Sequence, residues 1–336
     1  MLTIHKKLIK PKQSIVFDTY WKFAAERQSV FFKRIDNSIP PWTDDMVLRL
    51  FKFTNAYRAS DRVSQFLIKE VIYKGDQSPN ELFFRIILFK LFNKIDTWKA
   101  LESELREIRH SEYNFSRYDK LLKKIKKKNG VIYSAAYIMA SGKSAYGQEY
   151  KHQNHLMMLE NMMDDEFPQR ILNLRSMQSL YDGLKEYPNI GPFLAYQLAI
   201  DINYSILTDF SEMGFVKAGP GAIDGVRKCF TSLGDYSEED LIKLMADNQE
   251  KEFDRLGIAF LNLWGRPLQL SDCQNLFCEV DKYSRVAHPE VTGVSGRIRI
   301  KQKFRPTALS PINYFFPPKW TLNTSELPNL TMDYYG

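Results

Sequence analysis

The sequence predicts a mainly α-helical protein of two lobes with an extended, basic C-terminal tail. Three observations predict it. Apolar residues recur at helical spacing along most of the chain as far as Tyr283. The 336 residues suffice for one large or two ordinary domains, and 44% are hydrophobic, ample for a core. Beyond His288 the character changes: Arg297, Arg299, Lys301, Lys303 and Arg305 alternate with other residues, and Pro306, Pro311, Pro317 and Pro318 follow. The lobes are expected at residues 1–130 and 131–290, with the tail at 291–336 packing on the body. There is no internal repeat.

Residues 17–32 make a first helix with Phe17, Tyr20, Trp21, Ala24 and Ala25 on its apolar side. Ile39-Pro40-Pro41-Trp42-Thr43 breaks it, and Thr43, Asp44 and Asp45 can cap a second helix running toward Phe53. A third runs from Asp61 to Ile72 with Val63, Phe66, Leu67 and Val71 inward. Residues 79–94 are apolar on most sides, the pattern of a buried helix. Residues 101–109 are short and polar. The helix over 118–128 ends in Lys123-Lys124-Ile125-Lys126-Lys127-Lys128, either a solvated end favoured by the helix dipole or a phosphate-contacting surface. Residues 132–140 are small and apolar and fit a strand or a helix.

Gly142-Lys143-Ser144 invites a Walker reading. That motif needs a glycine where Tyr137 stands, so a P-loop is rejected and Lys143 is left as a phosphate contact. Residues 152–165, 167–174 and 176–186 are helical. A capped loop at 233–240 leads into a helix to Leu256, and 272–283 forms an apolar-faced helix.

Tyr187-Pro188-Asn189-Ile190-Gly191-Pro192-Phe193-Leu194-Ala195 reads as a helix, a tight turn and a second helix. Pro192 stands where a first helical residue tolerates proline, and Ala195, Leu198, Ala199 and Ile202 share a face. Such a corner is either an ordinary helical turn or a phosphate site built from backbone N–H groups at a helix N-terminus. Downstream, Lys217-Ala218-Gly219-Pro220-Gly221 precedes Ala222-Ile223-Asp224-Gly225-Val226. The Gly-rich loop can approach a phosphate, and Asp224 can either cap a helix starting at Gly225 or stabilise positive charge on a sugar.

The first stretch resembles the helix-hairpin-helix of the DNA glycosylase superfamily, through Ile190, Gly191 and Ala195, with Asn189 where a glycine is usual. The resemblance implies a glycosylase-like fold, a catalytic Asp224, and DNA contacts by Ile190, Gly191, Phe193, Gly219 and Gly221. Members that also nick DNA carry a lysine where Phe193 and Leu194 stand, which implies water as the nucleophile. Some members hold an iron–sulfur cluster on four cysteines. This chain has three, Cys229, Cys273 and Cys278, so no metal and no cofactor is expected.

Two further segments are dense in polar groups. Asn55, Tyr57, Arg58, Asp61 and Arg62 crowd a helix start, as a structural Arg–Asp network or a site. Asn275, Glu279 and Lys282 share one helical face, lining a pocket or forming an exposed ion-pair stripe. Together with Tyr283 and Gly219-Pro220-Gly221-Ala222, these segments resemble the α-glutamyl/putrescinyl thymine pyrophosphorylase family, whose helical domain also occurs in 5-hydroxymethyluracil DNA kinases. That resemblance spans residues 44–299. It implies action on pyrimidines with bulky 5-substituents in phage DNA, including anti-phage excision of glucosylated hydroxymethylcytosine. Substrate contacts are then Asn55, Tyr57, Arg58, Asn275, Lys282 and Tyr283, with Glu279 and Asp61 as further catalytic candidates.

The net charge of +7 and the 14% aromatic content favour a polyanionic partner whose bases can stack. Lys143, Lys217, Arg297 and Arg299 are the expected phosphate contacts. No apolar run approaches the roughly 20 residues of a membrane span, and residues 1–7 lack a signal-peptide core, so residence in the cytoplasm is expected. No obligatory protein partner is evident. The combined expectation is a monofunctional glycosylase that flips a hypermodified base from double-stranded DNA and leaves an abasic site. An amine transferase acting on a 5-pyrophosphomethyl base, or a non-enzymatic reader of modified DNA, are the alternatives.

Overall fold

The computed structural model describes residues 8–36, 39–136, 139–305 and 313–322. Among them the chain is mainly helical. The helices are α1 (Val16–Asp36), α2 (Met46–Leu50), α3 (Arg62–Phe66), α4 (Pro79–Phe92), α5 (Ile95–Leu105), α6 (Phe115–Asn129), α7 (Lys143–Tyr146), α8 (Lys151–Asp164), α9 (Phe167–Ile171), α10 (Met177–Leu184), α11 (Pro192–Asn203), α12 (Pro220–Cys229), α13 (Glu238–Asp247), α14 (Gln249–Arg255) and α15 (Leu270–Ala287). A small antiparallel sheet pairs β1 (Lys12–Gln13) with β2 (Phe230–Ser232), Lys12 opposite Ser232 and Gln13 opposite Phe230. No described helix is long and apolar enough to cross a membrane.

The chain forms two compact units, and neither is continuous. One comprises 1–61, 216–314 and 321–336; the other comprises 62–215 and 315–320. The sequence placed divisions at 130 and 290, whereas these units divide at 61/62 and 215/216. A sequential division cannot register that α1 packs against helices more than 180 positions downstream.

In the first unit α1, α12 and α15 build the core. Tyr20 meets Phe277 with ring centres 4.7 Å apart, and Trp21 meets Phe253 at 5.1 Å. The closest approach is α12 on α15: a Cβ added at Gly225 would lie 2.0 Å from the Phe277 carbonyl oxygen. A buried Lys228 ammonium sits 3.1 Å from the Asp281 carboxylate, which also binds Arg285. Two buried charges of opposite sign remain tolerable only because they meet each other.

In the second unit α4 is the axis, with residues 81–92 buried throughout. Its mostly apolar surface, interrupted by the buried Glu81, Arg85 and Lys90, is covered by α8, α9, α11 and a π-helical turn (Leu67–Ile72) that continues α3. Lys90 on α4 pairs with Asp201 on α11 at 3.1 Å. The aromatic excess is largely core: Phe83, Phe84, Phe89, Tyr118, Phe167, Tyr196 and Tyr204 are all buried here.

Several local expectations are corrected. The helix expected from Asp44 to Phe53 is limited to α2, because residues 50–52 turn extended: Lys52 N–H donates to the Gln302 carbonyl at 3.0 Å and Phe304 N–H to Leu50 at 2.9 Å. The described part of 132–140 is neither strand nor helix. Side chains hold it instead, with Thr97 Oγ1 donating to the Ile132 carbonyl at 2.8 Å and His155 Nε2 2.8 Å from the Ala140 carbonyl. The first hairpin helix ends at Leu184, not Glu186, because i→i+3 bonds from Glu186 and Tyr187 tighten the chain into the turn. Tyr137, Pro306 and Pro311 lie outside the described residues.

Candidate functional site

Asp224 lies within α12 rather than at its start. Gly219 is the N-cap and Pro220 the first helical residue, so the helix begins five positions earlier than a cap at Asp224 would require. The Asp224 carboxylate is buried and accepts from the Ser295 N–H at 2.8 Å and from the Ser295 hydroxyl. It anchors the loop that follows His288. Around it, Gly219 is buried, Gly221 faces Cys278, and Lys217 pairs with Glu239 at 2.8 Å.

The hairpin belongs to the other unit. Asn189 takes the left-handed conformation with φ 70°, which asparagine tolerates better than most residues, and this is the turn expected of a glycine there. Ile190 is buried, Gly191 is the exposed N-cap of α11, and Phe193 is half-buried. Lys143 is exposed at the start of the four-residue α7, after Gly142 with φ 73°. Gly142 sits against Asn189: a Cβ there would be 3.1 Å from Asn189 Nδ2.

The densest polar arrangement forms around Thr54 and Asn55 in the first unit. From α1, Arg27 donates to the Thr54 carbonyl at 2.9 Å and to Asn55 Oδ1 at 2.7 Å. From α15, Glu279 accepts the Thr54 N–H at 2.9 Å, and Asn275 Nδ2 donates to the Asn55 carbonyl at 3.2 Å. Asp61 closes the turn by accepting the Asn55 N–H at 2.9 Å, while Asn55 Nδ2 donates to the Ser60 carbonyl at 2.8 Å. The segment is therefore gripped from three directions by charge-assisted bonds.

The remaining expected contacts surround this clamp. Lys282 reaches Glu279 at 2.6 Å and lies 5.2 Å from the centre of the Phe53 ring. The Tyr283 hydroxyl donates to Asp45 at 2.6 Å, and that of Tyr57 to the Arg266 carbonyl at 2.6 Å. Arg58 is buried, and its N–H donates to Asp272 at 2.8 Å. Asn55, Tyr57 and Arg58 thus have structural hydrogen bonds. Burial pushes the Asp61 carboxyl up to about 7, against the opposing Asn55 N–H and Arg27 guanidinium, with Glu279 adding to the rise. Burial also lowers the Arg27 guanidinium from its ordinary value.

The sequence reading missed Arg27. Its signal was a charge in register with the apolar face, following Tyr20 and Ala24 at helical spacing. Next to the clamp, the basic segment is fixed by the pairing of 302–304 with 50–52, and the Arg299 carbonyl accepts from Arg285 at 2.9 Å. Arg297, Arg299, Lys301, Lys303 and Arg305 are all exposed.

Residues 14–293 match the family described as 5-hmdU DNA kinase, helical domain. The chain belongs to the 5-hmdU DNA kinase helical-domain family. A 5-hmdU DNA kinase of Bacillus phage SP10 is 26% identical over 288 residues, covering 80% of this chain and 45% of that protein. The chain thus spans under half the length of this relative. No solved structure matches.

Membership in this family overturns the expected excision chemistry. The relative is a DNA kinase, whose reaction moves a phosphoryl group and leaves the glycosidic bond untouched, and neither base hydrolysis nor amine-for-pyrophosphate transfer finds support. The excision reading rested on a hairpin followed by an aspartate. In the 5-hmdU kinase helical domain seen here those elements fall in different units, and the aspartate is committed to Ser295.

Proposed function

We infer that this chain holds DNA carrying 5-hydroxymethyl pyrimidines for phosphoryl transfer to the hydroxymethyl oxygen. In such a transfer the hydroxyl oxygen attacks the terminal phosphorus of a nucleoside triphosphate, the bond to the diphosphate breaks, and the hydroxyl proton is lost.

The observation that carries this reading is the exposed basic row at 297–305, joined by backbone pairing to 50–52, two residues before the clamp at Thr54. A cation at every second residue of an extended chain repeats about every 6.6 Å, matching the axial rise of two nucleotides on one strand. The family match supplies the modified base.

The test is fluorescence anisotropy with a duplex containing 5-hmdU. Replacing Arg297, Arg299, Lys301 and Lys303 together by Gln should weaken binding and flatten the salt dependence by roughly 0.9 in log–log slope per lost phosphate contact. Unchanged affinity and slope in a folded variant would remove the basic row from the interface. Failure of the wild type to bind DNA would end the reading.

A further inference from the structure

Asp61 uses only one of its carboxylate oxygens. Oδ1 accepts the Asn55 N–H, no hydrogen bond reaches Oδ2 among the described residues, and the residue as a whole is half-buried. Its holder is rigid, since Asn55 is itself fixed by Arg27, by the Ser60 carbonyl and by Asn275. The carboxylate is therefore oriented with one oxygen spent and one available. It lies on the clamp that continues from the basic row.

Resting on the DNA-holding function above, we propose that Asp61 Oδ2 is the contact that distinguishes a 5-hydroxymethyl base from thymine, by accepting a hydrogen bond from the added hydroxyl. Thymine presents a methyl group at the same position. Bringing it against Oδ2 would strip water from a carboxylate oxygen and return no donor. A site arranged for a hydroxyl rejects the analogue without one because its own polar group is left unpaired. Asp61 is thus a specificity-determining residue, and the clamp of Arg27, Asn275 and Glu279 positions it.

The charge environment gives the contact a pH signature. Asp61 faces Arg27 from α1, Glu279 from α15, Arg58 from its own turn and the Tyr314 ring. Burial holds its carboxyl protonated up to about 7, so the stronger, charge-assisted form of the bond develops as pH rises through that value.

Two duplexes differing only in one central 5-hmdU or thymidine would be compared by anisotropy at pH 6 and pH 8. The wild type should prefer 5-hmdU by roughly tenfold or more at pH 8, and by less at pH 6. In Asp61→Asn the ratio of the two affinities should become small and independent of pH. Equal affinity for both duplexes, a wild-type preference that does not change between pH 6 and 8, or a pH-dependent preference surviving in Asp61→Asn would each overturn the assignment while leaving DNA binding intact. The wild-type pH series decides the matter even if the variant does not fold. Absence of binding to either duplex would overturn the DNA-holding function and this assignment with it.

Discussion

Gly191-Pro192 and Gly219-Pro220 begin α11 and α12 with the same grammar: a glycine N-cap in extended conformation, then proline at the first helical position. In the second unit the start is open. Gly191 is exposed, and a side chain there would meet nothing within 4 Å. In the first unit the start is closed. Gly219 is buried, Gly221 lies against Cys278, and Gly225 lies against the Phe277 backbone. Two stretches that read alike therefore do different work: one starts its helix on an exposed glycine with open space around it, the other lets two helices touch. The hairpin start was read as a DNA contact, and so was the α12 start. Only the first has free surface around its cap.

The comparison predicts a steep gradient of mutational cost. Gly225→Ala should be the most damaging, because its methyl would collide with backbone rather than with a side chain that can swing away; about 3 kcal/mol is expected. Alanine gains about 1 kcal/mol over glycine in helix propensity, so a loss measured by urea denaturation reports the packing of α12 on α15 alone. A neutral result would mean that the two helices separate freely, and the contrast between the units would vanish.

Asp224→Ala should rank second. It removes the acceptor for the Ser295 N–H and hydroxyl, at a cost of about 2 kcal/mol. The same variant, probed by limited proteolysis, should be cut faster at 289–296 while cleavage elsewhere is unchanged. Uniform protection would remove Asp224 as the anchor of that loop.

Gly191→Ala should be the mildest. Its φ of −76° suits any residue, so the loss should stay below about 1 kcal/mol, the difference between glycine and alanine as N-caps. A cost equal to that of Gly225→Ala would show that the open start is packed after all.

Much of the helical layout was legible without coordinates, because helix periodicity is a local property. The stripe of α1 could be counted from spacing, α4 showed itself as apolar on most sides, Pro192 announced its position through its missing N–H, and the shared face of Asn275 and Glu279 followed from their separation. The misreadings share one cause. Residues 44–53 and 132–140 have helix- or strand-like composition, yet their backbone groups bond to partners far along the chain, at Gln302, Thr97 and His155. The excision chemistry failed for a related reason: a hairpin and an aspartate about 30 positions apart look like one motif until their units and partners are known.

By itself the sequence determined the mainly helical class, the basic tail, the absence of a Walker loop and the polar character of the segments at 55–62 and 275–283. These are consequences of composition and short-range spacing. Only the tertiary structure decided that Arg27, Thr54, Asn55, Asp61, Asn275 and Glu279 form one clamp, that Asp61 keeps an unused oxygen, and that Asp224 is spent on Ser295. Those facts depend on contacts between residues up to 225 positions apart. A carboxylate's role follows from which hydrogen bonds and charges reach it, and no local pattern specifies partners at that distance.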